Sequence, residues 1–131
     1  MQKSLQINSD PESIRIVENL IDQLSEEHKI ESDLYGKILV ATVEAVNNAI
    51  IHGNKSDKTK KIDIRISTDT GNVRIRVKDE GPGFEYNNVP DPTAPENIEN
   101  IHGRGVFLMR KLSDEIKFLK NGSEVELTFK L

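Results

Sequence analysis

The 131-residue sequence contains no cysteine, and its only histidines are His28, His52 and His102. Without cysteine, disulfides, cysteine-zinc sites and catalysis by a thiol are excluded. The histidines are too scattered in sequence to match the spacing of metal ligands. Function classes that depend on thiols or on histidine-rich metal centres are therefore excluded from the start.

The chain also lacks an excess of basic charge and a long apolar run. Eighteen basic residues stand against 22 acidic ones, for a net charge of −4. This balance argues against a domain that mainly binds the phosphate backbone of nucleic acid, and against disorder caused by uniform charge. Residues 1–4 do not resemble a signal peptide, and no apolar run approaches the length of a membrane span. We therefore expect a cytoplasmic protein of one domain, residues 1–131.

Apolar periodicity predicts helices in the first part of the chain. A helix is expected from residues 9–12, where Ser9 is the predicted N-cap, to about Glu27. A second helix is expected from Ser32 or Asp33 to Gly53. Its predicted apolar stripe consists of Leu39, Val43, Val46 and Ile50.

Alternation of apolar and polar residues predicts strands at 4–8, 62–67, 73–78, 114–120 and 124–131, with a hairpin turn at Asn121-Gly122. In the last strand, residues 125, 127, 129 and 131 are expected to face the core, and residues 124, 126, 128 and 130 to face water. The helices must bury their stripes on the dry face of the sheet. The predicted fold class is an α/β (α+β) two-layer sandwich, with helices on one face of a mixed, mostly antiparallel sheet.

The second predicted helix carries Glu44 and Asn48 one turn apart, on the side of the helix that also holds Ala41 and Ala45. The small neighbours leave room for a ligand. A carboxylate can act as a general base, and an amide oxygen is a hard ligand that suits Mg²⁺. The alternative is a polar face on a partly exposed helix.

A second motif, Asp79-Glu80-Gly81-Pro82-Gly83, follows a predicted strand. The Asp79 carboxylate can accept a hydrogen bond from an exocyclic amine, and the glycines permit close backbone approaches. An ordinary Asp-x-Gly turn is the alternative.

The third motif, Gly103-Arg104-Gly105, precedes a short predicted helix, where free backbone N–H groups suit phosphates. Arg104 could add a charged contact, or it could be an ordinary surface residue. The pattern is neither a P-loop nor a Rossmann fingerprint. Before it, residues 81–103 contain four prolines and few apolar side chains, which is typical of a functional lid or of disorder.

In this order, the three motifs resemble the Bergerat ATP-binding fold of the superfamily that comprises gyrase, the heat-shock chaperone, histidine kinases and MutL. Residues 44–49 match its N-box, residues 79–83 its first glycine box and residues 103–105 its second. Within that superfamily the sequence is similar to the anti-sigma factor and serine kinase branch, the RsbW-type proteins. The segments that carry this likeness are residues 44–55 and residues 103–109 with Asp114-Glu115.

The resemblance implies a role for each matched residue. Glu44 would be the base that polarises the attacking hydroxyl, Asn48 would hold Mg²⁺, and Asp79 would recognise the adenine amino group of ATP. The phosphate site and an ATP lid at about 84–102 would be shaped by Gly81, Gly83, Gly103 and Gly105, with Arg104 as a further contact. The hydroxyl of Ser123, which stands where threonine is more usual, would lie near the adenine.

The resemblance also implies a partner switch. The protein would bind a sigma factor, or phosphorylate a small antagonist of the sulfate-transporter/anti-sigma-antagonist (STAS) type on serine or threonine, as a homodimer that contacts neither nucleic acid nor membrane. A nucleotide-binding module that only sequesters its partner is one alternative, although it would have no need of Glu44 as a base. A histidine kinase catalytic domain is the other, and Ile51 occupies a place where those kinases commonly carry lysine.

Overall fold

A five-stranded sheet forms one layer of the protein. The computed structural model describes residues 2–83 and 101–131, with side chains for 2–83 and 105–131. The strands are β1 (Gln2–Asn8), β2 (Lys61–Thr68), β3 (Asn72–Lys78), β4 (Glu115–Leu119) and β5 (Glu124–Lys130). Their order across the sheet is β1-β2-β3-β5-β4.

The predicted fold class is confirmed, and the sheet is more regular than expected. We predicted a mixed sheet, whereas all neighbouring strands of the described chain are antiparallel. Short turns join β2 to β3 and β4 to β5, and such turns can connect only antiparallel neighbours. In the first of them, the Asp69 carboxylate accepts hydrogen bonds from the backbone N–H groups of Gly71 and Asn72.

The sheet buries one face and exposes the other, as the alternation predicts. The side chains of Ile64, Ile75 and Leu127 are completely buried in adjacent strands. On the opposite face Arg65 and Arg76 are exposed, and Arg76 Nε donates a hydrogen bond of 2.6 Å to the Glu126 carboxylate. The polar face of the sheet is therefore covered by charged side chains.

In the described residues, the helices that pack on the dry face are α1 (Ile14–His28), α2 (Ser32–Asn48) and α3 (Ile101–Leu112). Their buried side chains join those of the strands in one hydrophobic core. The helical contributors that are completely or almost completely buried include Val17, Ile21, Leu24, Ile38, Val46, Val106 and Met109.

The predicted N-cap of the first helix is wrong by one residue. The Asp10 carboxylate accepts the hydrogen bond from the Glu12 N–H, at 3.0 Å, and a 3₁₀ turn then leads into α1. Ser9 is buried instead, and its hydroxyl donates to the Lys60 carbonyl at 2.9 Å. Since serine and aspartate are equally good caps, their adjacent positions left the boundary ambiguous in sequence.

The second predicted helix follows the expected path with two differences. Helix α2 ends at Asn48, and the chain continues as a π-helical turn, Ala49–Gly53. Val46 and Ile50 are buried as predicted, but Leu39 and Val43 are only partly buried. The buried face is rotated towards small or polar side chains, which do not stand out in a pattern of large apolar residues. These are Ala41, Thr42, Ala45 and Ala49.

Together, α2 and the π turn form a continuous helical segment, Ser32–Gly53, which has the length and composition of a membrane span. We had expected no apolar run of that length. In the structure its buried face contributes to the hydrophobic core, which is the ordinary environment of a central helix.

Strand β5 shows where simple alternation fails. Val125, Leu127 and Phe129 are buried as predicted, but Glu124 and Thr128 are buried as well. Strand β5 lies between β3 and β4, so neighbouring side chains cover its outer face. The predicted core residue Leu131 is 52% exposed, because it follows the last paired residue of the strand.

Residues 84–100, which include most of the predicted lid, lie outside the described residues. The lid at 84–102 therefore stays a prediction.

Candidate functional site

A pocket lies between the end of α2, the π turn and the adjacent ends of β3, β4 and β5. It encloses about 430 Å³ of space, including the part that is open to solvent. Four predicted site residues, Asn48, Asp79, Gly83 and Ser123, contribute to its wall. The other lining residues are Ala45, Ala49, His52, Gly53, Val77, Phe118, Gly122 and Val125.

Asp79 lies at one side of this pocket, directly after β3. Its backbone N–H donates to the Ser123 carbonyl at 2.9 Å, and its Oδ1 accepts from the Gly81 N–H at 2.7 Å. Burial raises the pKa of the Asp79 carboxyl, whereas the Gly81 N–H and the charge of Lys60 act in the opposite direction. The carboxylate is therefore held in a fixed orientation at a largely desolvated place.

Two glycines are required by the close packing around Asp79. A Cβ on Gly53 would lie 2.1 Å from Asp79 Oδ2, and a Cβ on Gly81 would lie 2.1 Å from the Gly53 carbonyl oxygen. Real contacts are never this short, so neither position accepts a side chain without movement of its neighbour. Gly83 has a φ of 91°, in the left-handed region that favours glycine.

Glu44 and Asn48 lie on one face of α2, opposite α3. A Cβ on Gly105 would lie 3.2 Å from Glu44 Oε2 and 3.1 Å from Asn48 Oδ1. The absence of a side chain at Gly105 thus lets α3 pass directly over both groups. Within the part of the chain that the structure describes, the buried Asn48 Nδ2 has no hydrogen-bond partner, which makes it available to a polar ligand.

The third motif is placed differently from the prediction. We expected Gly103 and Gly105 to precede the helix, but α3 begins at Ile101, so both lie in its first turns. Glycine is a poor helix former, which is why the sequence favoured a later start. The side chain of Arg104 lies outside the described residues.

Ser123 is buried at the entrance to β5. Its hydroxyl donates to the Lys120 carbonyl at 2.9 Å, and its own carbonyl accepts the hydrogen bond from the Asp79 N–H. The hydroxyl oxygen can still accept a hydrogen bond from a ligand in the pocket.

The donor set suits Mg²⁺ that arrives with phosphates. Among the described residues there is no group of three or more histidine, cysteine or acidic side chains that could hold a metal ion by itself. Mg²⁺ is typically held by one or two protein oxygens together with substrate phosphates. The amide oxygen of Asn48 could supply one such oxygen, and the carboxylate of Glu44 lies beside it on the same helix face.

Comparison with known families agrees with this geometry. Residues 7–129 match the family described as "Histidine kinase-like ATPase domain". The chain belongs to this family. Membership implies ATP binding, and the predicted relation to the RsbW-type branch is confirmed by individual relatives.

Among these relatives is the serine-protein kinase RsbW of Bacillus licheniformis, which is 26% identical over 125 residues, covering 90% of this chain and 78% of the relative. The anti-sigma F factor of Geobacillus stearothermophilus is 33% identical over 88 residues, which cover 65% of this ATPase domain and 60% of the relative. A solved structure of the RsbU and RsbW domains of a Mycobacterium tuberculosis protein has the same fold. It matches with a TM-score of 0.68 at 18% identity, and the match covers 99% of this chain and 32% of that one.

Sequence reasoning assigned no role to several pocket residues of the ATPase domain. His52 and Gly53 follow Asn48 by about one helical turn, so their placement could have been deduced from helical spacing. Phe118 could not, because it reaches the pocket only through the pairing of β4 with β5. The Arg110 guanidinium of α3 lies 5.4 Å from the centre of the Phe118 ring and links that helix to the pocket wall.

The Asp79→Asn variant is expected to bind ATP about tenfold more weakly, with reduced preference over GTP. The introduced amide would keep its oxygen on the Gly81 N–H and turn an NH₂ group towards the place where the resemblance implies an acceptor for the adenine amino group. The polar contact expected there would be lost. Calorimetric titration with both nucleotides measures the effect. Wild-type affinity for ATP would contradict the assignment of Asp79.

The same substitution is expected to alter the pH dependence of stability. Because the folded-state pKa of Asp79 is raised, ionisation costs stability as the pH rises through that pKa, and asparagine removes this cost. The melting temperature of the variant relative to wild type should therefore increase as the pH rises above the usual pKa of an aspartate, about 4, and through the raised folded-state pKa. Asp69→Asn is a control of opposite sign, since hydrogen bonds from Gly71 and Arg74 lower the pKa of Asp69.

Proposed function

We propose that this protein is an anti-sigma factor with ATP-dependent serine/threonine protein kinase activity towards an antagonist of the STAS type. The observation that carries the proposal is the convergence of Asp79, Asn48 and Glu44 around one pocket and the adjoining face of α2. The names of the relatives, a serine-protein kinase and an anti-sigma factor, support the same activity.

In this proposal ATP lies along the pocket with its base at Asp79. The carboxylate accepts a hydrogen bond from the adenine amino group, and the Ser123 hydroxyl lies close to the same base. The phosphates extend towards Asn48 and the first turns of α3, where Gly103, Arg104 and Gly105 would surround them. The predicted lid at 84–102 would cover the nucleotide.

Glu44 would act as the base of the transfer. The antagonist hydroxyl oxygen attacks the γ-phosphorus of ATP, the bond to the β,γ-bridging oxygen breaks, and ADP leaves. Glu44 accepts the hydroxyl proton. Mg²⁺, when bound through Asn48, would neutralise charge that develops on the phosphates.

Control of transcription would follow from the choice of partner. The protein would hold a sigma factor inactive until it engages and phosphorylates the antagonist. We further propose that residues 1–131 form a single ATPase domain and that the protein is a cytoplasmic homodimer with one such domain in each subunit.

Transfer of labelled phosphate tests the proposal. The protein is incubated with γ-labelled ATP, Mg²⁺ and a STAS-type antagonist from the same organism, and we expect label on a serine or threonine of the antagonist. Nucleotide binding without label on any protein would indicate the sequestration module instead. Label on a histidine of the protein itself would indicate a histidine kinase.

ATP binding is expected to weaken by roughly tenfold or more when a chelator removes Mg²⁺, because Asn48 would reach the phosphates through the metal. Titrations with Mg²⁺ and with excess chelator measure the difference. The Asn48→Ala variant serves as the control, since the metal should strengthen its ATP binding much less. Equal affinity of the wild type in both conditions would refute the metal role of Asn48.

A further inference from the structure

Asn54 is a completely buried polar residue next to the pocket, and every polar group of its side chain is hydrogen-bonded. Its Nδ2 donates to Ser9 Oγ at 2.6 Å and to the Lys61 carbonyl at 3.0 Å. Its Oδ1 accepts from the backbone N–H of Glu80 at 2.7 Å. One side chain thus connects the end of β1, the start of β2 and the turn that follows β3.

The bond to Glu80 acts directly on the turn that carries Asp79. Glu80 lies between Asp79 and Gly81, and its carboxylate accepts from the Lys61 N–H at 2.5 Å. Glu80 is therefore fixed by two hydrogen bonds, one from its backbone N–H to Asn54 and one from the Lys61 N–H to its carboxylate. The residue before Asn54, Gly53, packs so closely against Asp79 that a Cβ on it would lie 2.1 Å from Asp79 Oδ2.

We propose that Asn54 is a positioning residue that sets the place of the Asp79 carboxylate and so determines the preference of the pocket for adenine. This inference rests on the proposed function, in which Asp79 accepts a hydrogen bond from the adenine amino group. Guanine carries a carbonyl at the equivalent ring position, so a correctly placed acceptor favours adenine over guanine.

A merely structural role makes a different prediction. If Asn54 only stabilised the fold, its loss would lower the affinities for ATP and GTP by the same factor. If it positions Asp79, its loss lowers ATP binding selectively. The ratio of the two affinities therefore separates the roles, independently of any change in melting temperature.

Three variants separate the effect of the hydrogen bond to Glu80 from the effects of the other hydrogen bonds of Asn54. Asn54→Ala removes the bond to Glu80 together with the bonds to Ser9 and Lys61, and Asn54→Asp keeps an oxygen for the Glu80 N–H. Ser9→Ala removes one partner of Nδ2 and leaves the Glu80 bond intact. Affinities for Mg²⁺-ATP and Mg²⁺-GTP are measured at a temperature where circular dichroism shows each variant folded.

We expect the ATP-to-GTP affinity ratio to fall by roughly tenfold in Asn54→Ala and to stay near the wild-type value in Ser9→Ala and Asn54→Asp. An unchanged ratio in Asn54→Ala, with a wild type that prefers ATP, would overturn the inference and leave the proposed function standing. A wild type that binds neither nucleotide would overturn the proposed function itself.

Hydrogen exchange on the wild type supplies a test that requires no substitution, in case Asn54→Ala does not fold. The Glu80 amide should exchange slowly in the nucleotide-free protein, because its acceptor is completely buried. Exchange of that amide at the rate of an unprotected backbone would contradict the inference.

Discussion

Glu44→Gln is expected to reduce phosphate transfer to the antagonist by roughly 100-fold, the scale of losing a positioned base. The variant keeps the size of the side chain on α2 and leaves Asn48 in place, so Mg²⁺-ATP binding should persist. A rapid-quench assay with labelled ATP measures the transfer rate, and calorimetry measures nucleotide affinity. A complex of variant, nucleotide and unmodified antagonist should accumulate.

The matched control for Glu44 is Glu26→Gln, which neutralises an exposed carboxylate on α1, outside the pocket. It should transfer phosphate at the wild-type rate. If Glu44→Gln does so too, Glu44 is not the base. If Glu44→Gln cannot bind ATP, the residue has a structural role and the interpretation of this helix face as a catalytic one is wrong.

Gly53→Ala is expected to weaken ATP binding by about 100-fold although it adds a single methyl group. The new Cβ would lie 2.1 Å from Asp79 Oδ2, so the carboxylate must turn away. The displaced carboxylate loses its proposed contact with the adenine amino group. A hydrogen bond to a charged group is worth about 1.5–3 kcal/mol, a range that includes a 100-fold change in affinity. Calorimetric titration with Mg²⁺-ATP provides the measurement.

Gly36→Ala is the control for this substitution, because no neighbouring atom lies within 4 Å of a Cβ at that helical position. It should leave ATP affinity unchanged and raise the free energy of unfolding by about 0.5–1 kcal/mol, since alanine is the better helix former. Wild-type ATP affinity in Gly53→Ala would contradict the steric account of the Asp79 site.

The elements that the sequence predicts best are those with a regular period and one buried face. Strands β2 and β3 alternate so clearly that Ile64 and Ile75 could be placed in the core from sequence alone. Helix α2 was harder, because the alanines that meet the core carry little weight in a pattern of large apolar residues. In β5, the burial of Glu124 depends on strands at both sides, which no local pattern contains.

The residues of the candidate site likewise fall into those that a local sequence pattern marks and those that depend on contacts between distant segments. Glu44 and Asn48 are related by helical spacing, and Asp79 follows a strand directly, so local reasoning could single them out. Asn54 could not be assigned a role, since its partners at Ser9 and Glu80 are 45 and 26 residues away. The same holds for Phe118, which comes to the pocket through strand pairing.

A crystal structure of the protein with Mg²⁺ and a non-hydrolysable ATP analogue tests the central claim most directly. We predict the adenine amino group within hydrogen-bond distance of the Asp79 carboxylate, and the metal between the phosphates and the Asn48 side chain. A nucleotide bound outside this pocket, or an adenine that makes no contact with Asp79, would contradict the account.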